Sequence, residues 1–279
     1  MPINYLKKIQ LGEFNKDGYR ISPSKAVESV IEGFYVFSRD PENHTDLIFN
    51  DGFPVLVFLQ SSEDAVKVTQ QNGSFEIKGS WASSGPIRNT YIKYNSKAEQ
   101  VFIVRFYPGA FYRLFGLDAQ YFRRNPVAPF EYIANNNGFS LAKFFECNSI
   151  EEKAAFVGSY VGHSFTGTDT SGILHKTLDY IHKIKGKGTV RNVTKDAGVN
   201  YKWLERNFAQ HIGLLPKEYI QLQRFMHAYL DLVGWRDVDL MRIAISNGYY
   251  DSNHFLKDFK AYTGKTPLEY LRLQAQPAS

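Results

Sequence analysis

Along the first hundred residues the hydrophobic positions fall in short runs. Val55-Leu-Val-Phe-Leu59, Ser74-Phe-Glu-Ile-Lys78, Thr90-Tyr-Ile-Lys-Tyr94 and Val101-Phe-Ile-Val-Arg-Phe106 are rich in β-branched and aromatic residues. Asn50-Asp-Gly52, Gln71-Asn-Gly73 and Asn95-Ser96 stand between them as turn formers. Short strands with regular turn punctuation predict a small barrel, cupin-like, or a sandwich. From Gly109 the spacing becomes helical, through Phe111, Leu114 and Phe115, then Tyr132 and Ile133, then Leu141, Phe144 and Phe145, and on across Ala155 to Tyr160. At Thr166-Gly-Thr-Asp-Thr-Ser-Gly172 the chain offers nothing to bury, which predicts a linker.

Beyond that seam every segment reads as helix. Ile173, Leu174, Leu178, Ile181 and Ile184 form one apolar stripe, closed by Gly186-Lys-Gly188. Val190, Val193 and Ala197 mark a short helix behind an N-cap at Thr189. Gly198 turns the chain, and Asn200 caps a helix that sends Trp203, Leu204, Phe208 and Ile212 inward. Pro216 opens a longer helix that buries Tyr219, Ile220, Leu222, Phe225, Met226, Tyr229 and Leu230.

The pattern then repeats. Val190, Val193, Thr194 and Gly198 recur 50 positions later as Leu240, Ile243, Ala244 and Gly248. One residue enters at the turn, after which the offset is 51. Asn200, Leu204, Arg206, Phe208, Gly213, Pro216 and Tyr219 recur as Asp251, Phe255, Lys257, Phe259, Gly264, Pro267 and Tyr270. Two copies are too few for a solenoid. Each is helix, glycine turn, capped helix, which is the helix-turn-helix pattern.

These residues resemble a known family. Ile243-Ala244, Gly248-Tyr249, Asp251, Phe255, Phe259-Lys260, Gly264, Thr266-Pro267 and Tyr270 are similar to the second helix-turn-helix of AraC/XylS regulators. Leu204, Phe208, Gly213, Pro216 and Tyr219 fit the first, so the likeness runs from about Ile173 to Leu273. Asn253 departs from the Ser or Gln that family members often carry, so no base preference is transferred. More faintly, Asn50-Asp-Gly52 and Val104-Arg-Phe-Tyr-Pro-Gly109 resemble an uncharacterised β-barrel sensor domain found ahead of such modules. The resemblance implies a transcription regulator, expected to be an effector-responsive activator. Its implied partners are double-stranded DNA read in the major groove, RNA polymerase, a small-molecule effector and a second copy of the chain. The alternative is a DNA-binding accessory or architectural protein without an effector.

The expected organisation is α+β. A sensor and dimerisation domain spans 1–165, with the barrel to about 108 and helices over 109–165. The linker follows at 166–172 and the DNA-binding domain at 173–279. Charge agrees with this division. The chain carries a net +5, yet from Ile173 onward Lys and Arg exceed Asp and Glu by 16 to 10, so all the excess lies there. A basic domain joined to a neutral one points to a polyanion partner for the basic part.

By helical spacing, Tyr201, Lys202, Glu205 and Arg206 face outward in the first unit, and Ser252, Asn253, Leu256 and Lys257 in the second. These are the expected DNA contacts. Arg206 and Lys257 can donate to guanine, Asn253 suits adenine and Glu205 can accept from cytosine. Asn200 and Asp251 are read as caps. In the sensor domain Phe34, Phe58, Trp81, Tyr91 and Arg105 are the candidate effector contacts, although aromatics also simply fill cores. Arg105 either pairs with an acid such as Asp51 or meets an anionic ligand.

Other chemistry is poorly represented. The single cysteine, Cys147, rules out an intramolecular disulfide and a multi-cysteine zinc site, and it disfavours a repair protein built on a metal-bound reactive cysteine near the N-terminus. Neither a nucleophile elbow, a zinc-protease motif nor a phosphate-binding loop is present, and the seven histidines are scattered. No enzyme activity, cofactor or metal is expected. No apolar run approaches the roughly 20 residues of a membrane span. Met1 to Gln10 shows no signal-peptide pattern, so the expectation is a cytoplasmic protein without a membrane partner.

Overall fold

The computed structural model describes residues 1–14, 17–39, 45–95, 99–165, 172–234 and 239–275, with side chains to 273. Thr166–Ser171 of the expected linker and Ser96 of one expected turn lie outside the described residues. The chain divides into two compact units, Met1–Thr168 and Asp169–Ser279. Together they give the expected α+β class, antiparallel sheets first and helices after.

The first unit opens with helix α1 (Ile3–Leu11), followed by nine strands: β1 (Gly18–Ile21), β2 (Ile31–Ser38), β3 (Thr45–Leu47), β4 (Val55–Phe58), β5 (Ala65–Gln70), β6 (Gly73–Lys78), β7 (Ser80–Ser83), β8 (Tyr91–Tyr94) and β9 (Gln100–Phe106). Then come α2 (Ala110–Leu114), α3 (Ala119–Arg124), β10 (Val127–Pro129), α4 (Phe130–Asn136), α5 (Leu141–Glu146) and α6 (Ile150–Ser164). The strands sort into a six-stranded sheet, β1-β2-β9-β4-β7-β10, and a four-stranded one, β3-β8-β5-β6. All pairings are antiparallel.

One face of the larger sheet carries Phe34, Val36, Leu56, Phe58, Phe102, Val104 and Phe106. These join Phe111, Phe115, Phe122, Phe130, Phe144, Val157 and Val161 of the helices in a single apolar cluster. Residues that alternate with them, Tyr35, Phe37, Val57, Trp81 and Ile103, are buried too. Tyr5 of α1 stacks on Phe37 at 4.5 Å between ring centroids. Both faces of the sheet are therefore covered, one of them by helices. Serine and aspartate caps begin the later helices, Asp118 before α3, Ser140 before α5 and Ser149 before α6.

The second unit is all helix: α7 (Gly172–Lys183), α8 (Val190–Ala197), α9 (Tyr201–His211), α10 (Pro216–Gly234), α11 (Leu240–Ser246), α12 (Ser252–Thr263) and α13 (Pro267–Ala275). Prolines 216 and 267 stand first in α10 and α13, where a missing N–H costs no helical hydrogen bond. Among the described residues no helix is long and apolar enough to cross a membrane.

Candidate nucleic-acid interface

Each sequence repeat folds as helix, turn and helix, α8 with α9 and α11 with α12. Their starts are set by side-chain caps. Thr189 and Asn192 form a reciprocal capping box before α8. Asn200 Oδ1 accepts the Trp203 amide at 2.9 Å before α9, and Asp251 Oδ1 accepts the His254 amide at 2.7 Å before α12. Both residues are caps, as the sequence suggested.

In α9, Leu204 and Phe208 are fully buried, whereas Tyr201, Lys202 and Arg206 are exposed and Glu205 is partly so. Trp203 is only half-buried, contrary to the inward placement expected of it. It stands about 100° around the helix from Leu204, at the margin of the stripe that Leu204 and Phe208 bury. The Tyr201 hydroxyl donates to Glu205 Oε1 at 3.1 Å, and this bond to a carboxylate raises the phenol pKa. Tyr201 and Glu205 thus hold each other in place on the outer face. In α12, Phe255 and Phe259 are buried, Asn253 and Lys257 are exposed, and Ser252 and Leu256 are partly exposed. The eight expected contacts therefore form two outward sets, each on the first two turns of the second helix of its unit.

The two helix-turn-helix units share one spine. Helix α10 stacks Tyr219 edge-on to Phe208 at 5.7 Å on one side. On the other it places Phe225 against Phe259 at 5.7 Å and Tyr262 at 4.4 Å, and Tyr229 against Tyr270 at 5.9 Å. At 19 residues it is about 28 Å long, near the roughly 34 Å repeat of duplex DNA.

Residues 193–273 match the model of a helix-turn-helix domain, and residues 19–128 match that of a domain of unknown function (DUF6597). These matches support an AraC-type regulator. An uncharacterized HTH-type transcriptional regulator of Staphylococcus aureus is 28% identical to this chain over 82 residues, which is 29% of this chain and only 11% of that protein. ToxT of Vibrio cholerae is 16% identical at a TM-score of 0.46, covering 92% of this chain and 99% of that one. A second ToxT structure, with an unsaturated fatty acid bound, is 13% identical at 0.45, covering 94% and 96%.

The expected effector contacts of this protein are not brought together. Phe34 and Phe58 lie in the cluster beneath the helices, where Phe58 meets Phe144 at 4.0 Å. Trp81 and Arg105 alternate onto the opposite face, and Tyr91 belongs to the other sheet. Of the two readings left open for Arg105, the structure takes the acid pair. Its two terminal nitrogens donate to both Asp51 oxygens at 2.9 and 2.7 Å, and Nε lies 3.1 Å from Glu32. The two neighbouring carboxylates outweigh burial and raise the guanidinium pKa. A polar hollow of about 300 Å³ lies nearby, lined by Arg20, Ser22, Glu28, Glu32 and Tyr107 among others.

Sequence reasoning passed over two residues of the second unit. Tyr250, the residue inserted at the second turn, is 88% exposed directly before the cap of α12. Its signal was the offset change itself. Arg224 lies on the spine, half-buried and bonded to a loop far away in sequence, and no local pattern marks it.

Proposed function

We propose that this protein is a sequence-specific transcription regulator, an activator of the AraC/XylS type that reads DNA with α9 and α12. One observation carries the reading: two capped helices present different polar sets outward while a shared buried helix joins them. In a helix-turn-helix the start of the second helix enters the major groove. Arg206 and Lys257 occupy equivalent places and are assigned to base edges, with Tyr201, Lys202, Glu205, Ser252, Asn253 and Leu256 beside them. Exposure next to the Asp251 cap supports assigning Tyr250 to the phosphate backbone. Because the sets differ, each monomer reads two unlike segments about one helical turn (roughly 10 bp) apart, and its site is directional.

The N-terminal unit is assigned to sensing and to pairing with a second copy, and RNA polymerase to the activator as its partner in the cytoplasm. The polar hollow beside Glu32 supports a small polar effector in place of the aromatic-lined pocket expected from sequence. Selection from a random DNA library tests the central reading. Wild type yields two distinct segments, Arg206→Ala relaxes one and Lys257→Ala the other. A single short motif, or the same change in both variants, overturns it.

A further inference from the structure

The Gly186-Lys-Gly188 segment, which reads in sequence as a plain turn before a cap, connects α7 to α8. Gly186 is buried with φ +67°, and a Cβ there would strike the Ile220 carbonyl of α10. Side-chain-free backbone thus lies directly on the middle of the spine. Arg224 of α10 fixes it there. Its Nε donates to the Gly186 carbonyl at 3.0 Å and a terminal nitrogen donates to the Gly188 carbonyl at 3.2 Å.

The second unit meets the same point. Gly248, in the turn between α11 and α12, has φ +78°, and a Cβ there would lie 3.2 Å from Lys187 Cα. The next residue, Tyr249, is buried with its ring centroid 5.6 Å from the Arg224 guanidinium. The Tyr249 ring packs in turn on Phe255 of α12, with centroids 5.4 Å apart. A continuous path of contacts therefore runs from Gly188, which precedes the cap of α8, through Arg224 and Tyr249 into the second reading helix. A planar guanidinium offers both carbonyls a fixed fork and a ring its flat face, a geometry that a single ammonium does not reproduce.

We infer that Arg224 is a positioning residue that clamps the two helix-turn-helix units into one rigid reading head, and so fixes the spacing the operator must have. The inference rests on the DNA-reading function proposed above. Moving one segment by 1 bp shifts it about 3.4 Å and rotates it about 36° around the duplex. A rigid head cannot follow, whereas a loosened head can.

The test uses the full chain and the two-segment sequence selected by wild type, prepared with its own spacing and with 1 bp inserted or removed. Wild type is expected to lose at least tenfold in affinity on either change, and Arg224→Met to lose less than threefold. Arg224→Lys, which keeps the charge but loses the planar fork, is expected to fall between them and serves if Arg224→Met does not fold. A separate readout needs no DNA. Spin labels at Arg191→Cys and Lys260→Cys, with Cys147→Ser, report the distance between α8 and α12. That distribution is expected to be narrow with Arg224 in place and broad in the variant. If wild type selects two segments but a folded Arg224 variant discriminates spacing equally well, the clamp is wrong and the DNA-reading function stands. If labelled protein with Arg224 intact gives a broad distribution, the clamp is likewise wrong. If wild type selects no two-segment site, the function proposed above fails and the clamp with it.

Discussion

Gly198 and Gly248 hold the same place in the two helix-turn-helix units, and both are left-handed, with φ +66° and +78°. Their surroundings differ. Among the described residues nothing lies within 4 Å of where a Cβ on Gly198 would stand, whereas one on Gly248 would press on Lys187 at 3.2 Å. The first glycine is required for its backbone angle alone. The second is required for its angle and for its missing side chain, because the second turn rests on the loop that leads into the first unit. Equivalent positions in a repeat are thus held for different reasons, and only the second couples the copies.

The largest test of this contrast is Gly248→Val against Gly198→Val. A β-branched residue in the left-handed region costs about 1–2 kcal/mol, and overpacking adds about 1–3 kcal/mol. Thermal melts of the full chain should show Gly248→Val losing both terms, and DNA affinity with them, while Gly198→Val loses only the first. Equal losses would break the comparison. Next come the outward faces. Arg206→Ala and Lys257→Ala should each weaken operator binding by about 1–3 kcal/mol when the contact is to a base, at different segments. A phosphate contact would instead give a uniform loss and a shallower salt dependence in titrations at several ionic strengths.

The caps should behave alike in both units. Asn200→Ala and Asp251→Ala are each expected to cost about 1 kcal/mol in a denaturant titration. A much larger loss at one would show that its oxygen does more than close the helix. The smallest effect separates the turns again. Asparagine tolerates the left-handed region, so Gly198→Asn should change stability by no more than about 0.5 kcal/mol. The same change at Gly248 should be clearly destabilising.

The second unit was legible because its signals are local and occur twice. Caps, turn glycines, first-turn prolines and apolar spacing all agree, and the repeat confirms each reading. Trp203 slipped because a residue at the margin of a buried stripe has no clear periodic signature. The first unit gave less. β4, β6, β8 and β9 matched the expected runs, but β2 is buried along almost its whole length, so it never alternates and has no readable face. β7 is Ser-Trp-Ala-Ser, with one large apolar residue in four. Helix α1 carried no cap or periodic stripe that singled it out. The aromatic residues grouped as effector contacts were chosen by type, and strand alternation sends them to opposite faces. Arg105 fared better, since its strand position and a nearby acid are both readable. Contacts made across long sequence separations, as by Arg224, leave no trace in a single sequence.

Helix α10 gives Tyr219 to the core of the first repeat and Phe225 and Tyr229 to the core of the second. Neither repeat owns a complete interior. In folding terms the two should open as one foldon, with the slowest-exchanging amides in α10 itself and no state in which one repeat is intact and the other melted. The sequence repeat is therefore not divisible in the fold: cut in the middle of α10, neither half would keep enough buried surface to stand alone.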